Sequence, residues 1–268
     1  MSRSIGASIF VRDAIKYDYC IVEAVRSVLS LDEVIVMDCS STDGTEKLLF
    51  NEFGNCKNVR IITGQKWEVH TGDIGRRLAI LANIAKSYLT TDWHFMLQAD
   101  EVLHPNSLTY MRAITNEMSA TKFICRRYNL WGNTRLYVGL NSPDKPVSDA
   151  VCRLALTHFE AVGDAESIDP TGSSTNYTDL LNIIHYGFVR RGDLMLDKIC
   201  DMQDWFFGGH EHVDKRALQQ VANGKVFVPE AFRKRDTLEV LPSVLEPTFM
   251  KDWIAKRAND TTFRRMDI

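Results

Sequence analysis

The sequence predicts an α/β protein built on a mostly parallel, doubly wound sheet with helices on both faces, followed by a smaller region of mixed sheet. Three observations predict it. Over roughly the first hundred residues, strand-like and helix-like segments alternate β-α-β-α-β-α-β, the pattern of parallel strands joined by right-handed crossovers. "EVIVMD" (Glu33 to Asp38) is apolar on both faces, as a strand covered by helices must be. After Pro105 the strict alternation ends and strands follow one another.

The elements follow in order. Ile5 to Val11 reads as a first strand. Tyr19 to Ser30 reads as a helix, because Ile21, Val25, Val28 and Leu29 fall on one face of a 3.6-residue period. After the strand Glu33 to Asp38 comes "CSSTDGTEKLL", where Asp43 and Glu46 have the spacing of a capping box. "NVRIITG" is a third strand ended by Gly64. "DIGRRLAILANIAKSYL" is a helix with Ile74, Leu78, Leu81, Ala85 and Tyr88 on one face, and "WHFMLQ" (Trp93 to Gln98) is a fourth strand. "LTYMRAITNEM" is helical. "KFICRRYNLW" and "AVCRLAL" are strands separated by a Pro- and Ser-rich loop, "GLNSPDKPVSD". "EAVGDAESIDPTGSSTNYTD" reads as a long polar loop, "LNIIHYGF" as a last short strand and "DLMLDKICDMQDWFF" as a helix. No linker separates two independent domains.

Bulk properties narrow the function. The chain has 268 residues, 45% of them hydrophobic and 25% charged, with a net charge of -3. That charge gives no global field for nucleic acid. The six cysteines are scattered with no Cys-x-x-Cys, which argues against a zinc ribbon or a dithiol redox pair and fits a reducing compartment. "MSRSIGASIF" lacks the apolar length of a signal peptide, and no run of about 18 apolar residues is present. These features lead to the expectation of a cytoplasmic protein. The stretch beyond Phe232 is mildly basic, which suits either a solvated tail or peripheral contact with the inner face of a membrane.

On doubly wound sheets, ligands bind beyond the C-terminal strand ends. Asp38 and Asp100 both stand at such ends. A carboxylate at Asp38 can accept a base N–H, and the following helix start favours anions, although a plain strand-turn-helix explains the same residues. Asp100 in "MLQADEVLHP" has the place of a ligand for Mg²⁺ or Mn²⁺, which take one or two carboxylates plus substrate phosphates; ordinary turn chemistry is the alternative. Glu101 either orients Asp100 or faces an acceptor. His210 and His212 in "GGHEHVDK" lack a partner set at metal-ligand spacing and read as loop.

Together, four segments in order resemble family 2 glycosyltransferases, which have the GT-A fold. "EVIVMDCSSTDGT" is similar to that family's "EIIVVDxGSTDGT". "GDIGRRLA" resembles "DFAxxRNxA", "DWHFMLQADEVLHP" resembles "DWILxLDADExLxP", and "IIHYGFVRRGDLMLDK" resembles "HYGYxRxxxxxxxK". The resemblance runs from about Ile5 to Phe207 and implies a GT-A-like domain over residues 1–230. Residues 1–104 would be its nucleotide-sugar half and 105–230 its acceptor half, with a C-terminal tail over 231–268.

The resemblance also implies roles. Asp38 recognises the base of a nucleotide-diphosphate sugar, UDP favoured. Asp43 shapes that pocket, Asp13 lies at the nucleotide, and Arg77 reaches nucleotide or sugar. Asp100 and His185 ligate Mn²⁺ or Mg²⁺, and Lys198 neutralises the diphosphate. Gln98 replaces a usual Asp and can still hydrogen-bond a ribose, and Leu78 replaces a usual Asn. In the stretch "VGDAESID", Glu166 fits the general base of an inverting transfer, with Asp164 as the second candidate. Arg126, Arg127, Tyr128, Trp131 and Tyr137 are candidates for acceptor contact, to a glycan or lipid-linked sugar or, as an alternative, to modified nucleic acid. A nucleotidyltransferase and a catalytically decayed glycan-binding relative are the other classes the sequence leaves open.

Overall fold

A computed structural model of the protein describes residues 3–68, 74–117, 119–131, 134–140, 149–171, 174–189, 194, 197–198, 201 and 236–258. The first half follows the expected alternation: β1 (Ile5–Val11), α1 (Ile21–Val28), β2 (Glu33–Asp38), α2 (Thr45–Phe53), β3 (Val59–Ile62), α3 (Ile74–Ser87) and β4 (Trp93–Met96). β1 pairs in parallel with β2 on one side and β4 on the other, and β3 extends the sheet beyond β2. Odd-numbered side chains of β1 (Ile5, Ala7, Ile9, Val11) join α1 and α2 in one core, while Phe10 packs with Leu78 of α3 on the opposite face. Helices therefore cover both faces, as the doubly apolar β2 requires. Gly6 lies where a Cβ would collide with Leu89 and Thr91, so the chain after α3 crosses close over β1.

The second half is mixed. It contains β5 (Glu101–Leu103), α4 (Pro105–Glu117), β6 (Lys122–Trp131), β7 (Leu136–Leu140), β8 (Asp149–Leu156), β9 (Ala161–Val162), β10 (Ser167–Ile168), β11 (Thr175–Phe188) and β12 (Asp236–Val240). β8 runs antiparallel between β4 and β6, which welds the two halves into one sheet. β11 lies between β5, antiparallel, and β6, parallel. The α/β class and the mostly parallel first half are as the sequence predicts.

Several elements differ from expectation for identifiable reasons. The capping box does not form: Gly44, with φ 95°, is the N-cap, and Asp43 stands one residue earlier. Asp43 instead accepts the Thr45 amide at 3.0 Å, the Thr45 hydroxyl at 2.6 Å and the Lys16 amide at 2.7 Å. Tyr88 is exposed beyond the end of α3 rather than on its buried face. The polar stretch 160–179 is not all loop, because β9 and β10 form a small hairpin and β11 starts at Thr175. β11 is long because β6 pairs along it from Thr175 to Phe188, with β5 on its other edge at Ile183 to His185. Of the helix expected over 193–207, Leu194, Asp197, Lys198 and Asp201 are helical; the remainder, like His210 and His212, lies outside the described residues.

The stretch from Asp236 to Ala258 is not solvated chain. β12 pairs with β7, and Leu241, Met250 and Trp253 are buried with Tyr128, Tyr137 and Tyr186 in a second apolar core. Trp253 meets Tyr186 edge-on at 5.2 Å. This core also claims two residues expected at an acceptor surface, Tyr128 and Tyr137, while Trp131 is buried against Phe188. No described helix is long and apolar enough to cross a membrane. Trp253→Ala is expected to cost about 3 kcal/mol of unfolding free energy in a denaturant titration, as truncation of a buried aromatic does. An unchanged midpoint would mean that this segment does not contribute to the fold.

Candidate active site

One buried carboxylate organises the corner where β4 turns into β5. Glu101 has no exposed surface. Its Oε2 accepts the Gln98 amide at 2.9 Å, and its Oε1 accepts Nη2 of the equally buried Arg153 at 2.7 Å. Arg127 approaches the same oxygen at 3.6 Å and reaches outward to Glu166 at 3.0 Å. The four charges sum to zero, so the buried Glu101, Arg153 and Arg127 are neutralised through the exposed Glu166 at the rim. Burial pulls the Arg153 guanidinium down and Glu101 opposes that shift. Glu101 thus faces neither an acceptor nor a metal.

The corner presents Asp100 to a cleft at the C-terminal ends of the parallel strands. The strand ladder places His185 opposite both Glu101 of β5 and Asn129 of β6. Asp100 Oδ1 lies 3.6 Å from His185 Nε2. His185 Nδ1 is 2.8 Å from Asn129 Oδ1, an oxygen that accepts its N–H, which leaves Nε2 as the ring nitrogen facing Asp100. Gly187 makes this approach possible, since a Cβ there would overlap the imidazole. Lys198 donates to Asp100 Oδ2 at 3.1 Å and to the Gly187 carbonyl at 3.3 Å, between the rings of Tyr19 and Phe188. The helical turn bearing Lys198 is tied to the loop after β1, because Tyr17 and Lys16 both donate to Asp201, at 2.5 and 2.7 Å. Burial and Asp201 push the Tyr17 hydroxyl up, so it stays a donor.

Across the cleft stands the β9–β10 turn with Asp164 and Glu166. Gly163 and Ala165 both have left-handed backbone, φ 62° and 64°. Only Gly takes this conformation without strain, so the buried Ala165 must be held there. Gln98 supplies a restraint by donating to the Ala165 carbonyl at 3.3 Å. Burial, and then the charge of Glu166, raises the Asp164 carboxyl above the ordinary range. Glu166 is exposed at the rim and held by Arg127.

The cleft, with a cavity volume of about 230 Å³, thus gathers Gln98, Asp100, Asp164, Glu166, His185 and Lys198. It does not gather the other expected residues. Asp38 is fully buried, with Oδ2 accepting the Ser41 amide at 3.0 Å and Oδ1 lacking a hydrogen-bond partner. Asp13, at φ 51°, accepts the Thr42 amide at 2.7 Å. With Asp43, these carboxylates brace the loops after β1 and β2. Arg77 is on α3, and its neighbour Leu78 lines the cleft instead. Arg12 and Trp67 also line it, with the guanidinium 5.5 Å above the indole. Neither lies in a matched motif. Asn129 was invisible as a site residue because strand register alone brings it there, and Arg127, expected at an acceptor, instead bridges Glu101 and Glu166.

For a divalent cation, Asp100 Oδ1 and His185 Nε2 form a compatible oxygen and nitrogen pair. Among the described residues no set of three His, Cys, Asp or Glu side chains could hold such an ion. The pair fits a cation whose remaining ligands come from substrate phosphates and water.

No family model matches the chain, and no curated protein matches it. Several solved structures are similar to it. TarS 1–349 of S. aureus in complex with UDP is 17% identical with a TM-score of 0.38, over 53% of this chain and 38% of that one. The mannosyltransferase PcManGT from Pyrobaculum calidifontis, in complex with GDP-Man and Mn²⁺, is 13% identical with a TM-score of 0.45, over 69% and 57%. Glucosyl-3-phosphoglycerate synthase from Mycobacterium tuberculosis is 14% identical with a TM-score of 0.44, over 76% and 80%. The chain thus covers less than two thirds of the first two.

Two outcomes are expected at the site. A raised carboxyl adds stability below its ordinary pKa and loses it as pH rises through the raised value. Asp164→Asn should therefore stabilise the protein at about pH 7 and not at about pH 3, by no more than about 0.5 kcal/mol because the group is partly open to solvent screening. Melting curves across pH check this. Gly187→Ala should destabilise by roughly 1–3 kcal/mol through overlap with His185, read by denaturant titration.

Proposed function

We propose that the protein is an inverting glycosyltransferase that moves a sugar from a nucleotide-diphosphate donor, UDP-sugar favoured, to an acceptor hydroxyl, assisted by Mn²⁺ or Mg²⁺. One observation carries the reading. A cleft at the C-terminal strand ends sets Asp100, His185 and Lys198 opposite Asp164 and Glu166. These residues come from two of the segments that resemble family 2 glycosyltransferases and from the stretch expected to hold the base.

The division of charge suggests the division of labour. The diphosphate lies at the Lys198 end, beside Arg12, where the ammonium and the guanidinium accept its negative charge. A divalent cation held by Asp100 and His185 would stabilise the departing diphosphate as a Lewis acid. The cavity is smaller than the roughly 300 Å³ at which small-molecule sites begin, so it suits the reacting end of the donor alone. The nucleoside then extends along the strand ends toward the loops braced by Asp13, Asp38 and Asp43. Those carboxylates act chiefly by fixing loop amides, and Asp38 Oδ1 is the oxygen available to a base N–H if the Cys39–Ser41 turn yields.

The acceptor approaches from the β9–β10 turn. Its hydroxyl proton passes to the Asp164–Glu166 pair as the oxygen attacks the anomeric carbon. Asp164 is the better base of the two, because burial raises its proton affinity, whereas Glu166 is exposed and engaged by Arg127. Gln98 serves the turn rather than a ribose. The acceptor we favour is a glycan or lipid-linked sugar, met on the inner face of a membrane, with the basic stretch 233–235 contributing contact.

The test is a thermal-shift panel of UDP, GDP, ADP and CDP, with and without Mn²⁺, on wild type and Asp100→Asn. A nucleotide at about 100 times its Kd should add roughly 2.7 kcal/mol. Stabilisation that grows with Mn²⁺ and is lost in the variant is the expected result. No response to any nucleotide would sink the reading and favour a decayed relative.

A further inference from the structure

We infer that Lys198 is a metal-excluding residue: its ammonium occupies Asp100 and keeps a divalent cation off the Asp100–His185 pair until a phosphate anion draws it away. The inference rests on the proposed donor site and adds an order of assembly to it. Asp100 has two oxygens with two different neighbours. Oδ2 holds the Lys198 ammonium at 3.1 Å, and Oδ1 faces His185 Nε2 at 3.6 Å. Asp100 and Lys198 are 8% and 9% exposed, so their attraction is weakly screened. Gly187 O and the faces of Tyr19 and Phe188 define the ammonium's seat.

A cation entering without phosphate meets two obstacles. It finds two side-chain donors, where Mg²⁺ or Mn²⁺ wants about six ligands. It also meets a resident positive charge on the carboxylate that should attract it. A diphosphate removes both obstacles together. Its oxygens accept the ammonium, and they supply the missing ligands. Lysine suits this exchange, being a point charge on a flexible stem, whereas an arginine would grip the carboxylate with a rigid fork. Cation and phosphate then bind as one unit, and linkage requires that each raise the affinity for the other by the same factor.

The experiment measures Mn²⁺ binding by loss of the free-ion electron paramagnetic resonance signal. Wild type, Lys198→Gln and Lys198→Gln/Asp100→Asn are each titrated alone, with inorganic pyrophosphate and with UDP, GDP, ADP and CDP, and their melting temperatures are recorded. Wild type should bind Mn²⁺ weakly alone and at least about tenfold tighter with pyrophosphate or UDP. Lys198→Gln, which keeps a hydrogen-bond donor and loses the charge, should bind Mn²⁺ without phosphate at least about tenfold tighter than wild type, and Asp100→Asn should abolish that gain. Equal phosphate-free affinity in wild type and Lys198→Gln overturns the inference, as does a gain that survives Asp100→Asn. Should Lys198→Gln fail to fold, the wild-type arm decides: Mn²⁺ affinity unchanged by pyrophosphate overturns it. Coupling to pyrophosphate but none to UDP, GDP, ADP or CDP supports the inference and sinks the nucleotide-donor reading instead.

Discussion

The cleft depends on the buried ion chain Arg153–Glu101–Arg127. Glu101 sits where the central strand β4 gives way to β5, with no water to solvate it. Its charge is tolerable only because two guanidiniums and a backbone amide converge on it. Removing one partner of such a group costs about 3–5 kcal/mol, since the remaining charge is left buried. The same contacts have a geometric effect. The Gln98 amide and the Arg153 side chain, from β8, lock the corner that aims Asp100, and Arg127, from β6, carries the constraint to Glu166 across the cleft. Burial therefore serves both the packing of the two half-sheets and the spacing of the candidate catalytic groups.

The two walls of the cleft are held differently. The Asp100–His185 wall rests on strand register, with β11 gripped between β5 and β6, so His185 has little freedom. The opposite wall is a short turn with Ala165 in a left-handed conformation, restrained by Gln98 and by the Arg127–Glu166 pair. A carboxylate in place of Gln98 would point an acceptor at the Ala165 carbonyl and add negative charge beside Asp100, Asp164 and Glu166. The departure at this position thus has a structural reason. Glutamine donates where an acid could not, and the turn bearing the two acids depends on that donation.

The C-terminal segment finishes the mixed half. Met250 and Trp253 close the apolar cluster around Tyr128, Tyr137 and Tyr186. Tyr186 lies between His185 and Gly187 in the chain, so packing on the far side of β11 steadies the strand that carries the imidazole. An aromatic-rich stretch that looks suited to sugar stacking is here mostly spent on this core.

The sequence by itself determined the alternating first half. Local periodicity and doubly apolar strands are properties of contiguous residues, and they fixed β1, β2 and the order of α1 to α3 within a few residues. It also marked Asp100, His185, Lys198, Asp164 and Glu166, because these sit in matched motifs or in one short stretch. Tertiary structure decided what those residues touch. Register across β5, β6 and β11 brought Asn129 and Glu101 to His185, over separations no local pattern encodes. The left-handed Gly44 moved the helix start away from the Asp43–Glu46 spacing. Asp13, Asp38 and Asp43 look like ligands in the sequence, and in the fold each accepts at least one backbone amide of an adjacent tight loop, a donor that is always present. A carboxylate's identity is written in the chain, but its partner is set by which donors the fold leaves within three ångströms or so.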